Sequence, residues 1–207
     1  THDELAANRW NNASWREVNL NLTSITGMGG GQGSVQFEEP AIMAWAANDT
    51  GVTIVEVTLS DRGRFNVGYK VSDNGDGTWH YEYAVHNMNS NRSCGSFSIP
   101  VPAGVTITNV GFHDVDYHSG EPYDGTDWPH VIEDGAITWA TTPYDQNVNA
   151  NAIRWGTLYN FRFDADAPPV DVDVALGLFT PGTPDATTFT GAGPEGAMTC
   201  LGDTDAN

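Results

Sequence analysis

The residues between Gly63 and Asn87 leave little choice of fold. Phe65, Val67, Tyr69 and Val71 occupy alternate positions, with Arg64, Asn66 and Lys70 between them. After Asp73-Asn74-Gly75-Asp76-Gly77, Trp79, Tyr81, Tyr83 and Val85 alternate with His80, Glu82, Ala84 and His86. A period of two puts alternate side chains on one face of a strand. Glycines in the intervening run supply the positive φ of a tight turn. The stretch predicts a β-hairpin with one aromatic face and one polar face. The turn also resembles a calcium loop, but it lacks a distal acid at the right spacing.

Other short runs repeat the pattern. Trp15 to Thr26, Val35 to Phe37, Val52 to Leu59, Ser93 to Val101, Val105 to Tyr117, Ala136 to Ala140, Ile153 to Phe163 and Val170 to Phe179 all read as strands. Pro40 to Asn48 suits one short helix with proline in its first turn. Helical periodicity over longer spans is absent. Many short strands with turn punctuation predict an all-β fold, a single β-sandwich of jelly-roll or immunoglobulin-like type with long loops. Residues 1–14 read as an N-terminal arm and residues 15–180 as the sandwich. Residues 181–207 read as a tail rich in glycine and proline.

The chain has 207 residues, 27 acids and 8 bases, for a formal charge of -19. Such a surface repels phosphate backbones, which argues against a nucleic-acid partner. It attracts divalent cations, and dense carboxylates beside a single lysine, Lys70, suit a calcium-rich exterior. The same charge also serves solubility alone. No apolar run approaches the length of a membrane span. Cys94 and Cys200 are the two cysteines, and in an oxidising compartment they are expected to form a disulfide. Asp203-Thr204-Asp205-Ala206-Asn207 matches the first half of a calcium loop. It is expected to run on into the remainder of that loop in a longer precursor.

Potential ligands crowd into Gly111 to Pro129. If the strand runs through Tyr117, then Asp114, Asp116 and His118 share a face with Phe112, and the loop beyond adds Glu121, Asp124 and Asp127. Asp114, Asp116, Asp124 and Asp127 are the candidate calcium ligands, because a hard cation wants several oxygens from one convergent loop. With His113 and His118 the cluster suits a transition metal instead. A third reading has the aspartates pinning the loop through hydrogen bonds, with Tyr123 and Trp128 packed over the sandwich edge. Tyr117, Tyr123 and Trp128, with Trp10, are also candidate sugar platforms, provided that their rings are exposed. Paired carboxylates among Glu82, Asp114 and Asp116 would suit glycoside hydrolysis. Asn12, Asn21, Asn48 and Asn91 each begin an N-x-S/T sequon.

Three strings are long enough to compare with known chains: Tyr69 to Tyr83, Gly111 to Trp128, and Arg154 to Pro169. They resemble the C-terminal region of large secreted bacterial proteins of no assigned activity, over roughly Asn8 to Thr180. The resemblance implies a secreted modular protein, often ending in a calcium-loop or sorting segment, and it implies no catalytic residue. With no serine-hydrolase or metal-helix signature, the expected function is non-enzymatic: an extracellular structural module that assembles with copies of itself. The alternatives are a carbohydrate-binding module, with calcium as a stabilising ion and surface polysaccharide as its partner, and a glycoside hydrolase.

Overall fold

A computed structural model describes residue 10 and residues 13–20, 28–60, 63–117 and 120–196. The chain divides into two compact units, residues 1–54 and residues 55–207. In the first unit, β1 (Ser14–Leu20) pairs antiparallel with β2 (Met28–Phe37), and α1 (Met43–Asn48) follows Pro40. The Trp15 indole donates to Glu39 Oε2 at 3.1 Å. The boundary between the units falls inside β3 (Thr53–Thr58).

The second unit is the expected β-sandwich of two five-stranded antiparallel sheets. The first sheet joins β3, β4 (Arg64–Asp73), β5 (Trp79–Asn87), β10 (Leu158–Ala165) and β7 (Ile107–His113), in that order. The second joins β12 (Ala186–Pro194), β11 (Pro169–Leu178), β6 (Cys94–Pro100), β9 (Ala136–Ala140) and β8 (His130–Glu133). The hairpin read from the sequence is β4 and β5, in the register Val67 to Val85, Tyr69 to Tyr83 and Val71 to Tyr81.

Aromatic rings fill the space between the sheets. Tyr81 stacks on Phe163 at 4.7 Å, and Phe97 meets Phe161 at 4.7 Å and Trp139 at 6.2 Å. All five are fully buried. Each such side chain removed from water contributes about 1.5–3 kcal/mol. Buried phenols need partners, and they have them. Tyr81 Oη donates to Ala167 O at 2.9 Å, and Tyr83 Oη donates to Ala192 O.

Two expectations change. Ala186 to Pro194 falls in the stretch read as a tail, yet it forms β12 and pairs with β11 from Pro169 to Gly177. Its glycines are packing residues: a Cβ on Gly193 would lie 2.6 Å from Val172 Cγ2, and one on Gly191 3.0 Å from Val174 Cγ2. Strand β7 ends at His113, so Asp114 and Asp116 lie in a loop and not along a strand face. Cys94 is a fully buried free thiol whose Sγ contacts Ser96 O at 3.1 Å. Its expected partner, Cys200, lies outside the described residues, as does the calcium-loop-like end.

Candidate functional site

Strands β5 and β7 finish, and β10 begins, at the same end of the first sheet: Leu158 pairs with His86 and Asn160 with His113. Three connections therefore meet there. They are the segment from Met88 to Ser93, the loop after β7, and the turn before β10. Between them lies an open hollow of about 660 Å³, whose lining includes Asn91, Asp116, Tyr117, Glu121, Tyr123, Arg154 and Trp155.

The floor is held by buried amides. Asn87 Nδ2 donates to Ser90 O and Ile153 O, both at 2.9 Å, and its Oδ1 accepts from Ser90 N at 2.7 Å. Asn151 is also fully buried. Its Nδ2 donates to Asp114 Oδ2 and to Thr126 O, its Oδ1 accepts from Tyr159 Oη at 2.5 Å, and its carbonyl accepts from the Trp128 indole. Tyr159 Oη lies 3.0 Å from Tyr117 Oη. Burial pushes the pKa of both phenols up, so both stay protonated and able to donate. One amide thus ties the loop after β7 to the start of β10.

The rim is set by a turn. Thr157 N–H donates to Arg154 O at 3.0 Å, and Gly156 sits at φ +81°. Positive φ at the third residue is the glycine position of a type II turn. Trp155, at the second position, is left 64% exposed. Arg154 turns inward. Its guanidinium lies 4.3 Å from the centre of the Tyr123 ring and 4.7 Å from that of Phe179, and it donates to Val148 O and Ala150 O. Its charge is occupied by two rings and two carbonyls, so the hollow offers carboxylates without an available guanidinium. Tyr117 and Tyr123 meet edge to face at 5.2 Å.

The candidates from the sequence separate here. Trp128 is only 3% exposed and stacks on Phe112 at 5.6 Å, so it is a core residue and not a sugar platform. A ring with both faces packed has no surface to offer a ligand. Tyr117 and Tyr123 do line the hollow. Asp114 accepts from Asn151, and Asp124 accepts from Asn147 Nδ2 at 2.6 Å and from Thr126 N–H at 3.2 Å. Asp116 and Asp127 are exposed. Among the described residues no three carboxylate, histidine or cysteine side chains converge as a metal site. His113 is exposed at the end of β7, and His118 lies outside the described residues. Trp10 is half-buried, Asn91 is exposed on the hollow, and Asn12 and Asn21 lie outside the described residues.

Glu121 was among the potential ligands read from the loop, whereas Trp155 and Asn91 escaped the sequence reading as ligand residues. The available signal was the Trp-Gly pair, which marks a turn as readily as the start of a strand. Glu82 lies away from the hollow. On the first sheet, His80 Nδ1 is 2.6 Å from Asp164 Oδ1 and its Nε2 is 3.1 Å from Glu82 Oε2. Both ring nitrogens face carboxylates, so the arrangement is an ion-paired bridge from β5 to β10. No family model matches the chain, and a search of curated proteins finds no match.

Proposed function

We propose that this protein is a non-enzymatic extracellular module that binds neutral carbohydrate in the hollow at the end of the sandwich. The observation that carries the reading is Trp155, a 64% exposed indole on a hydrogen-bonded turn at the rim. A sugar presents an apolar C–H face and a belt of hydroxyls. It needs an exposed flat ring with hydrogen-bonding groups placed beside it. Asn91, Asp116 and Glu121 supply those groups next to Tyr117 and Tyr123. The occupied Arg154 and the net charge of -19 disfavour anionic sugars. The acidic composition with a single lysine supports an exterior location.

The test is affinity electrophoresis and calorimetry against neutral soluble polysaccharides, with a sulfated polysaccharide as the contrast. Neutral chains are expected to bind, and Trp155→Ala to weaken binding by about tenfold or more, the scale of a lost stacking contact. The unfolding midpoint should not move. Failure to bind any neutral polysaccharide, or equal binding by Trp155→Ala, would overturn the reading. The structural, self-assembling reading is supported by a different observation, the open edge at β8.

A further inference from the structure

We propose that β8 is a self-pairing edge through which two copies join their second sheets about a twofold axis. This inference is independent of the carbohydrate reading. Among the described residues β8 ends its sheet, and all four of its residues are exposed. Val131 is 48% and Ile132 50% exposed. No proline, lysine or bulge lies within it, and its only guards are its four-residue length and Glu133 at its end.

The hydrogen-bond parity of the β8–β9 pair fixes which backbone groups point outward. Ala140 N–H donates to Pro129 O at 3.2 Å, and the register runs His130 to Trp139 through Glu133 to Ala136. Hydrogen-bonded and non-hydrogen-bonded pairs alternate in an antiparallel ladder. Pro129, Val131 and Glu133 therefore face β9, and the N–H and C=O groups of His130 and Ile132 face outward. The turn agrees: Asp134 at φ 51° and Gly135 at φ 76° make a two-residue hairpin loop, which closes on a hydrogen-bonded Glu133–Ala136 pair.

A second copy can pair only by matching outward groups to outward groups. Setting His130 opposite the partner's Ile132, and Val131 opposite the partner's Val131, uses all the outward groups of both copies. Shifting the register to place Ile132 on Ile132 runs His130 into the partner's turn and loses half of the bonds. The favoured register also opposes Glu133 to the partner's Pro129, so no like charges meet directly. The paired valines form an apolar contact at the centre. Four residues make a weak contact, and two chains of charge -19 repel each other, so added salt should strengthen it.

The test uses the full chain. Sedimentation at rising protein concentration should show a monomer–dimer equilibrium, displaced toward dimer by salt. Ile132→Pro removes one outward N–H and none of the β8–β9 bonds, so it should leave the fold, read by circular dichroism, and abolish the dimer. Should that variant misfold, cross-linking decides in a Cys200→Ser background. Val131→Cys places two thiols at a non-hydrogen-bonded pair, with Cα atoms about 4.5 Å apart and within disulfide reach. It should form covalent dimer about tenfold faster than Ile132→Cys, whose copies sit on a diagonal of about 7–8 Å. A chain that stays monomeric to about 1 mM in added salt would overturn the proposal, as would cross-linking no faster at Val131 than at Ile132.

Discussion

Trp128 and Trp155 show how differently one residue type is used. Trp128 packs on Phe112, Tyr159 and Phe161 and donates its indole N–H to Asn151 O. Trp128→Ala should cost about 3–5 kcal/mol in urea denaturation, the range for emptying a large aromatic site. Trp155→Ala should stay within about 0.5 kcal/mol, because little packs on an exposed ring. Asn151→Leu keeps the heavy-atom count and branching of the side chain, yet it should cost about 2–4 kcal/mol: Asp114, Tyr159 and Thr126 each lose a partner, Tyr159 in a fully buried setting. In the sequence a packed Trp128 was one of several readings, and nothing there set it apart from Trp155. Both tryptophans precede a turn-forming residue, Pro129 or Gly156, and local spacing is the same kind of signal for both. Burial is decided by Phe112 and Asn151, which local patterning does not connect to Trp128.

At the scale of elements, strand β5 carries two histidines that titrate in opposite senses. Burial pushes the pKa of His86 down from 6.5 to about 4. The fold holds its neutral form, so the unfolded chain binds more protons between those values. Stability should then fall as pH drops from about 6.5 to 4, by on the order of 3 kcal/mol from this group. For His80, burial pulls the pKa down, but hydrogen bonds to Asp164 and Glu82 outweigh it and the net shift is upward. Its contribution is present at low pH and lost as pH rises through the raised value. Urea midpoints across pH 4–8 should separate the two. His86→Asn should flatten the limb below pH 6.5, and His80→Gln should remove the loss of stability that sets in above it. The β4–β5 hairpin was legible down to its turn, because period-two alternation and Asn-Gly chemistry are local. Strand β12 was not, because Gly191 and Gly193 look like linker residues until Val174 and Val172 are seen against them. Gly193→Ala should therefore destabilise by about 1–3 kcal/mol, as overpacking does. Gly111→Ala meets the end of the Arg162 side chain at 2.6 Å, which can swing away, and should cost far less.

For the whole molecule, the excess of carboxylates acts as a field before it acts as a site. A charge of -19 on 207 residues repels itself in the compact state, and the repulsion weakens as the Debye length shrinks to about 10 Å at 0.1 M salt. The unfolding midpoint should therefore rise as sodium chloride is raised from low ionic strength. Divalent cations add a sharper question. Of the four aspartates that the sequence offers to calcium, Asp114 and Asp124 already accept hydrogen bonds from Asn151 and Asn147, while Asp116 and Asp127 are exposed. A calcium loop needs six or more oxygens about 2.3–2.6 Å from one point, so capture of the ion would take the carboxylate lone pairs that those amides leave open, with Asp116 and Asp127 drawn toward them. If the carboxylates act only through the field, calcium and magnesium at matched ionic strength should raise the midpoint equally, and Asp114→Asn should leave that increment unchanged. Magnesium demands octahedral geometry and gives up its waters reluctantly, so a convergent loop that accepts calcium would discriminate strongly between the two. A calcium-specific increment, abolished by Asp114→Asn or Asp124→Asn, would replace the field account with a bound ion at the end of the sandwich that also carries the hollow.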